Sequence, residues 1–153
     1  INAELLWITP DEPKKSSGTV FVNPPQAQIA DLLRTADFYV CASLYESFSL
    51  PVLEAMACGC AVITTANAGV LEYAVDGVNC LTVQMKSPHD IAQKISDTLK
   101  DPDLYVRLSE EGIKTARRFH WDHIVRQLID YYKQIAGYVP QKQGAFSADA
   151  DLY

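Results

Sequence analysis

The segment from Phe38 to Gly59 constrains the fold of this chain more than any other, because it reads as strand, turn and helix in immediate succession. Residues 38–42, Phe-Tyr-Val-Cys-Ala, are short, apolar and rich in aromatic and β-favouring types, with Asp37 at the entry and Ser43 at the exit. Such a run predicts a buried strand. Beyond it Ser49 is placed as a helix N-cap, and Pro51 suits the first helical turn, where its missing N–H costs nothing. Leu50, Leu53 and Ala57, with Val52 and Met56, fall at helical spacing, and Gly59 suits a left-handed cap. The turn therefore lies at the carboxyl end of a strand.

The same alternation extends along the chain. Residues 4–9 and 19–22 read as strands around a Pro- and Gly-bounded loop. Ile29, Leu32, Leu33 and Ala36 give one helix face before the strand at 38–42. After Gly59 come a strand at 61–65, a Gly/Asn turn at 67–69, a short helical piece near 71–74 and a strand at 81–83. Strands separated by helices predict a parallel, doubly wound α/β sheet. The last third is helical, with faces at Ile91, Ile95, Thr98 and Leu99, then Leu104, Leu108 and Ala116, then Ile124, Leu128, Tyr132 and Ile135. Gly137 and Pro140 end it, so residues 1–137 are expected to form the domain and 138–153 a loosely ordered tail.

Two carboxylates frame the turn: Glu46 on the loop and Glu54 one turn inside the helix. Their spacing alone says little, since Glu4 and Glu12 are equally far apart. Position is what matters. The first N–H groups of a helix have no internal partner, and the helix dipole adds roughly half a positive charge there. An anion such as a diphosphate satisfies both. Carboxylates are poor phosphate ligands, so Glu46 and Glu54 are better used as acceptors for the hydroxyls of a sugar and a ribose.

These residues resemble the glutamate, seven residues, glutamate motif of retaining nucleotide-sugar glycosyltransferases of group 1 (family 4 type), which have the two-domain GT-B fold. The similarity extends in order through Phe21-Val22-Asn23-Pro24 to Ser43, Glu54-Ala55-Met56-Ala57-Cys58-Gly59, Ala61-Val62-Ile63-Thr64 and the run from Gly69 to Asn79. The resemblance implies a Rossmann-like, C-terminal half of a GT-B architecture, followed by C-terminal helices. It implies a catalytic, sugar-holding role for Glu46, donor contacts from Ser47, Phe48, Ser49 and Leu50, a ribose contact from Glu54, and a nucleobase contact at Val22, Asn23 and Pro24. It implies no metal and no cofactor. The expected partners are a nucleoside diphosphate sugar and an N-terminal domain of the same enzyme. A non-catalytic nucleotide-sugar-binding or interaction module, and a GT-B epimerase or phosphorylase, are the rival readings.

The chain also departs from the family, which usually has glycine where Ser49 and Cys80 stand and frequently where Ala68 stands. The family's basic diphosphate-binding Arg and Lys precede the strand that corresponds to residues 5–9, and Lys14 and Lys15 do not match them. Beginning at Ile1 without an initiator Met, the chain is expected to be an excised piece lacking the first strand and helix of its domain. Such a piece is expected to transfer no sugar by itself, and an exposed edge could favour self-association.

With 153 residues and 48% hydrophobic content the chain can bury one core. Its formal net charge of -6 supplies no basic stripe for nucleic acid, and no apolar run approaches the roughly 20 residues of a membrane span. Cys41, Cys58, Cys60 and Cys80 lie in or beside predicted core elements at neither zinc nor thioredoxin spacing. Buried free thiols imply a reducing cytoplasm. His120 and His123 flank Asp122, but the segment reads more simply as the opening of the last helix.

Overall fold

The computed structural model describes residues 3–137. Chain contacts divide the protein into two compact units, Ile1–Phe119 and His120–Tyr153. The first is α/β, as expected. Its elements run β1 (Leu6–Thr9), β2 (Thr19–Val22), α1 (Gln26–Thr35), β3 (Phe38–Cys41), α2 (Leu50–Ala57), β4 (Ala61–Thr65), α3 (Ala68–Leu71), β5 (Leu81–Val83), α4 (Pro88–Lys100) and α5 (Pro102–Arg118). All strand pairings are parallel.

The single sheet expected from the alternation is found as two among the described residues, β1-β2 and β3-β4-β5. Strands β1 and β3 are not neighbours, so each keeps one edge without a ladder partner. Burial follows this division. All five residues of the central β4 are buried, whereas β3 is fully buried only at Cys41 and β1 at none of its positions.

Side-chain alternation along β4 builds the core on both faces. Val62 joins a cluster with Val52, Leu53, Met56, Leu33, Tyr73 and Cys80. Its neighbours Ala61 and Ile63 point the other way, into a cluster with Leu81, Val83 and Leu108, closed by Ile91 and Ile95 of α4. Successive strand residues face opposite sides, and helices cover both, which is why β4 reads as a continuous apolar run. The local signals at α2 hold: Pro51 lies in its first turn, and Gly59 has φ 87° just beyond its end.

The short helix α3 spans Ala68–Leu71 rather than residues 71–74, because Asn67 is its cap and not a turn residue: the Asn67 side chain accepts from the Val70 N–H at 3.1 Å. In the second unit, α6 (Trp121–Ile135) opens at His120, whose Nδ1 accepts from the Asp122 N–H at 3.3 Å. The expected tail at 138–153 lies outside the described residues. No helix among the described residues is long and apolar enough to cross a membrane.

Candidate functional site

The loop between β3 and α2 is held from four directions. At its start, the Ser43 carbonyl accepts from the Thr65 hydroxyl and from Asn67 Nδ2. In its middle, Gly69 packs against the main chain of residues 46–48; a Cβ there would sit 2.6 Å from the Phe48 nitrogen and closer still to Glu46 and Ser47. Phe48 anchors the far side in a trio of edge-to-face rings with Tyr73 and Phe119, whose centroids lie 5.2 to 5.7 Å apart. Finally, the Tyr73 hydroxyl donates to the Ser49 carbonyl at 2.8 Å. A loop fixed in this way can present backbone groups at a constant geometry, as binding sites require.

Those backbone groups are donors. Among the described residues no carbonyl accepts from the N–H of Phe48, Ser49 or Leu50, which lie just before or at the first residue of α2. Unpartnered amides at a helix N-terminus are suited to an anion.

Ser49 differs from its expected role. It is the N-cap residue, but it sits in the left-handed region at φ 59° and its side chain caps nothing. The residue is only 5% exposed, and its Oγ is the one buried side-chain polar atom without a partner among the described residues. A non-glycine residue in this conformation costs about 1–2 kcal/mol, and an orphaned buried hydroxyl costs a further sum of about 1–3 kcal/mol. Ser49→Gly is accordingly expected to stabilise the protein by about 1–2 kcal/mol, read as a higher urea midpoint at unchanged slope. An unchanged or lower midpoint would show that the serine is not strained.

Glu46 and Glu54 are both half-buried. They share a reporter in Tyr39 on β3, whose hydroxyl is pushed up to about 12, first by burial, then by Cys41 and by the negative charges of Glu46 and Glu54. Both carboxylates therefore lie in one neighbourhood beside the turn. Glu54 has a direct partner as well: Gln26, the first residue of α1, donates its Nε2 to Glu54 Oε1 at 3.2 Å. Gln26 follows the corner at Val22, Asn23 and Pro24, where Asn23 has φ 45° and donates its N–H to the Thr9 carbonyl at 2.8 Å. The corner and the turn thus belong to one end of the unit, linked through Gln26.

The structural residues Thr65, Asn67, Tyr73 and Gln26 escape a reading by local pattern. Only Asn67 carried a signal, as a helix-capping type ahead of an apolar pair. The cysteines are all free thiols; Cys41, Cys60 and Cys80 are buried and Cys58 is half-exposed. Burial pushes Cys60 up to about 11 and Cys80 up to about 12, so neither is a thiolate near neutral pH.

Residues 15–115 match the family described as Glycosyl transferases group 1. The chain is 34% identical over 110 residues to a D-inositol 3-phosphate glycosyltransferase of Thermobispora bispora, covering 72% of this chain and 26% of that relative. Among solved structures, it superposes on sucrose-phosphate synthase of Thermosynechococcus elongatus, a GT-B glycosyltransferase, with a TM-score of 0.77 at 25% identity, over 88% of this chain and 39% of that one. Anabaena HepE, solved with UDP-glucose, shares the fold at a TM-score of 0.69 and 20% identity, over 76% of this chain and 32% of that one. The chain spans 26–31% of the length of the curated relatives it matches.

Proposed function

The chain belongs to the group 1 glycosyl transferases, and from that premise we propose that it is the donor-binding, C-terminal domain of a retaining GT-B enzyme that moves a sugar from a nucleoside diphosphate sugar to an acceptor. The observation that carries this reading is the turn at residues 46–50: three unpartnered amides at a helix start, with two half-buried carboxylates beside them. In this reading the amides of Phe48, Ser49 and Leu50 hold the diphosphate, Glu46 the donor sugar and Glu54 the ribose. Ser47 borders the sugar, and Val22, Asn23 and Pro24 meet the base. Donors fixed in advance stabilise charge that develops on the departing diphosphate without reorganising.

An N-terminal domain of the same enzyme supplies the acceptor site and the missing cations. The division of the strands into two sheets, with β1 and β3 each half-exposed, supports a further strand between them in the complete domain. By itself the chain then binds donor weakly, roughly at millimolar, which is about -4 kcal/mol, turns over no sugar, and can self-associate through its free strand edges. Four free thiols support a cytoplasmic location.

The test is a titration with UDP and UDP-glucose followed by backbone NMR. Shifts are expected at residues 46–50, at Glu54 and at the corner 22–24; shifts confined to α4, α5 and α6 would reject the site. Glu54→Gln is expected to weaken UDP, since a hydrogen bond to a charged group is worth about 1.5–3 kcal/mol. Glu46→Gln should leave UDP unchanged and remove the extra affinity of UDP-glucose. Equal losses of UDP binding in both variants would contradict the division of roles.

A further inference from the structure

Among the described residues Gln26 is the one side chain on α1 that hydrogen-bonds a residue of the candidate site, and it does so by donating its amide to Glu54 Oε1 across 28 residues of sequence. A carboxylate only accepts, so the amide nitrogen must be the atom that faces it. We propose that Gln26 is a positioning residue for donor recognition: it fixes the plane and rotamer of the Glu54 carboxylate, so that the remaining acceptor positions meet the vicinal hydroxyls of a ribose. This rests on the reading of Glu54 as the ribose contact.

Three features make the arrangement suited to that task. Glu54 is half-buried on α2 with three free torsions, and no other side-chain hydrogen bond restrains its carboxylate among the described residues. Without the Gln26 amide its oxygens would sample several rotamers, and ordering them on binding would cost part of the hydrogen-bond energy gained. An ionised carboxylate offers about four lone-pair sites, so one bond from Gln26 leaves enough to accept from two adjacent hydroxyls.

The second feature is where Gln26 starts. It follows Pro24 and Pro25, whose fixed backbone angles leave the first residue of α1 little freedom, and the N-cap Pro25 has the extended ψ of 154° that launches the helix. The donor is thus delivered by a stiff corner. The third is continuity: the same corner carries Val22, Asn23 and Pro24, so a base resting there and a ribose held by Glu54 would be spaced by one short path, along the chain from β2 to Gln26 and then across the Gln26–Glu54 hydrogen bond to α2. A change at Gln26 should therefore alter how the ribose is read while leaving phosphate contacts alone.

The experiment measures UDP, 2′,3′-dideoxy-UDP and inorganic diphosphate binding to the full chain by NMR titration, for the unsubstituted protein and for Gln26→Leu, Gln26→Glu and Gln26→Arg. The unsubstituted chain is expected to prefer UDP over its dideoxy analogue. In Gln26→Leu that preference should fall about three- to tenfold, with inorganic diphosphate binding and thermal midpoint unchanged, because Gln26 is exposed. Gln26→Glu, which places a like charge against Glu54, should lose the preference entirely, and Gln26→Arg, which returns a planar donor, should recover most of it.

An unaltered preference in Gln26→Leu overturns the inference while leaving the ribose role of Glu54 standing. A parallel fall in inorganic diphosphate binding also overturns it, by showing a general loosening of the turn. If the unsubstituted chain binds UDP and the dideoxy analogue equally, the ribose role of Glu54 fails, and this inference with it.

Discussion

Gly69→Ala is expected to lower stability by about 1–3 kcal/mol and to remove measurable nucleoside diphosphate binding. The added methyl would meet the main chain of Glu46, Ser47 and Phe48, none of it the free end of a flexible side chain. The glycine is there for space: its φ lies outside the left-handed region that Gly59 and Gly77 occupy. Relief must come from moving the loop off α3, and that loop carries Glu46 and the amides assigned to the phosphates. A displacement near 1 Å at such a site is enough to cost on the order of a hundredfold in function. Ala68 provides the control. Its side chain is exposed, and Ala68→Gly should change neither the urea midpoint nor UDP titration. Gly69→Ala with unchanged midpoint and unchanged shifts at residues 46–50 would mean that the close approach is not required.

What the sequence revealed of this site was its local part. The strand before Glu46, the proline in the first turn of α2 and the glycine beyond its end are short-range patterns, and each is found where the pattern placed it, although the strand, expected to be buried, is fully buried only at Cys41 because one of its edges has no ladder partner. The same holds for β4, whose apolar run reports burial on two faces. Failures occurred where a distant contact decides the geometry. Ser49 has a capping side chain by type, yet its carbonyl is gripped by Tyr73, 24 residues on, and the backbone goes left-handed instead. Asn67 looked like a turn residue because its role, capping α3 while donating to Ser43 24 residues earlier, joins two segments that no window spans. Gln26 and Glu54 are a further case, at a separation of 28. The sheet division is of the same kind: each strand was legible, but which strands are neighbours depends on long-range pairing.

Asn79→Ala should be strongly destabilising, at about 3–5 kcal/mol, because it orphans two buried groups, at about 1–3 kcal/mol each, and the part-buried Val75 N–H as well. Asn79 is 3% exposed. Its Oδ1 accepts from the Val75 N–H at 2.7 Å, and its Nδ2 donates to the Tyr73 carbonyl and to Thr115 Oγ1, both at 2.8 Å. One amide thus joins the segment after α3 to the C-terminal part of α5. Loss of that much from a domain with a total of about 5–15 kcal/mol would leave a sizeable unfolded fraction at 37 °C. The effect should reach the turn at residues 46–50, because Tyr73 is held at its carbonyl by Asn79 while its ring packs on Phe48 and its hydroxyl holds Ser49.

A double-mutant cycle separates this network from simple loss of volume. Thr115→Val removes the hydroxyl that Asn79 satisfies, so its cost should be clear in the native background and should nearly vanish once Asn79 is alanine, giving a coupling of about 1 kcal/mol or more. Additive costs would mean that Asn79 and Thr115 act independently. Asn79→Asp sharpens the distinction: it keeps the volume and the acceptor for Val75 but replaces the donating nitrogen with an oxygen facing the Tyr73 carbonyl. If donation to Tyr73 is what secures the site, Asn79→Asp should destabilise at least as much as Asn79→Ala despite its closer shape, and should broaden the NMR signals of residues 46–50 in the same way.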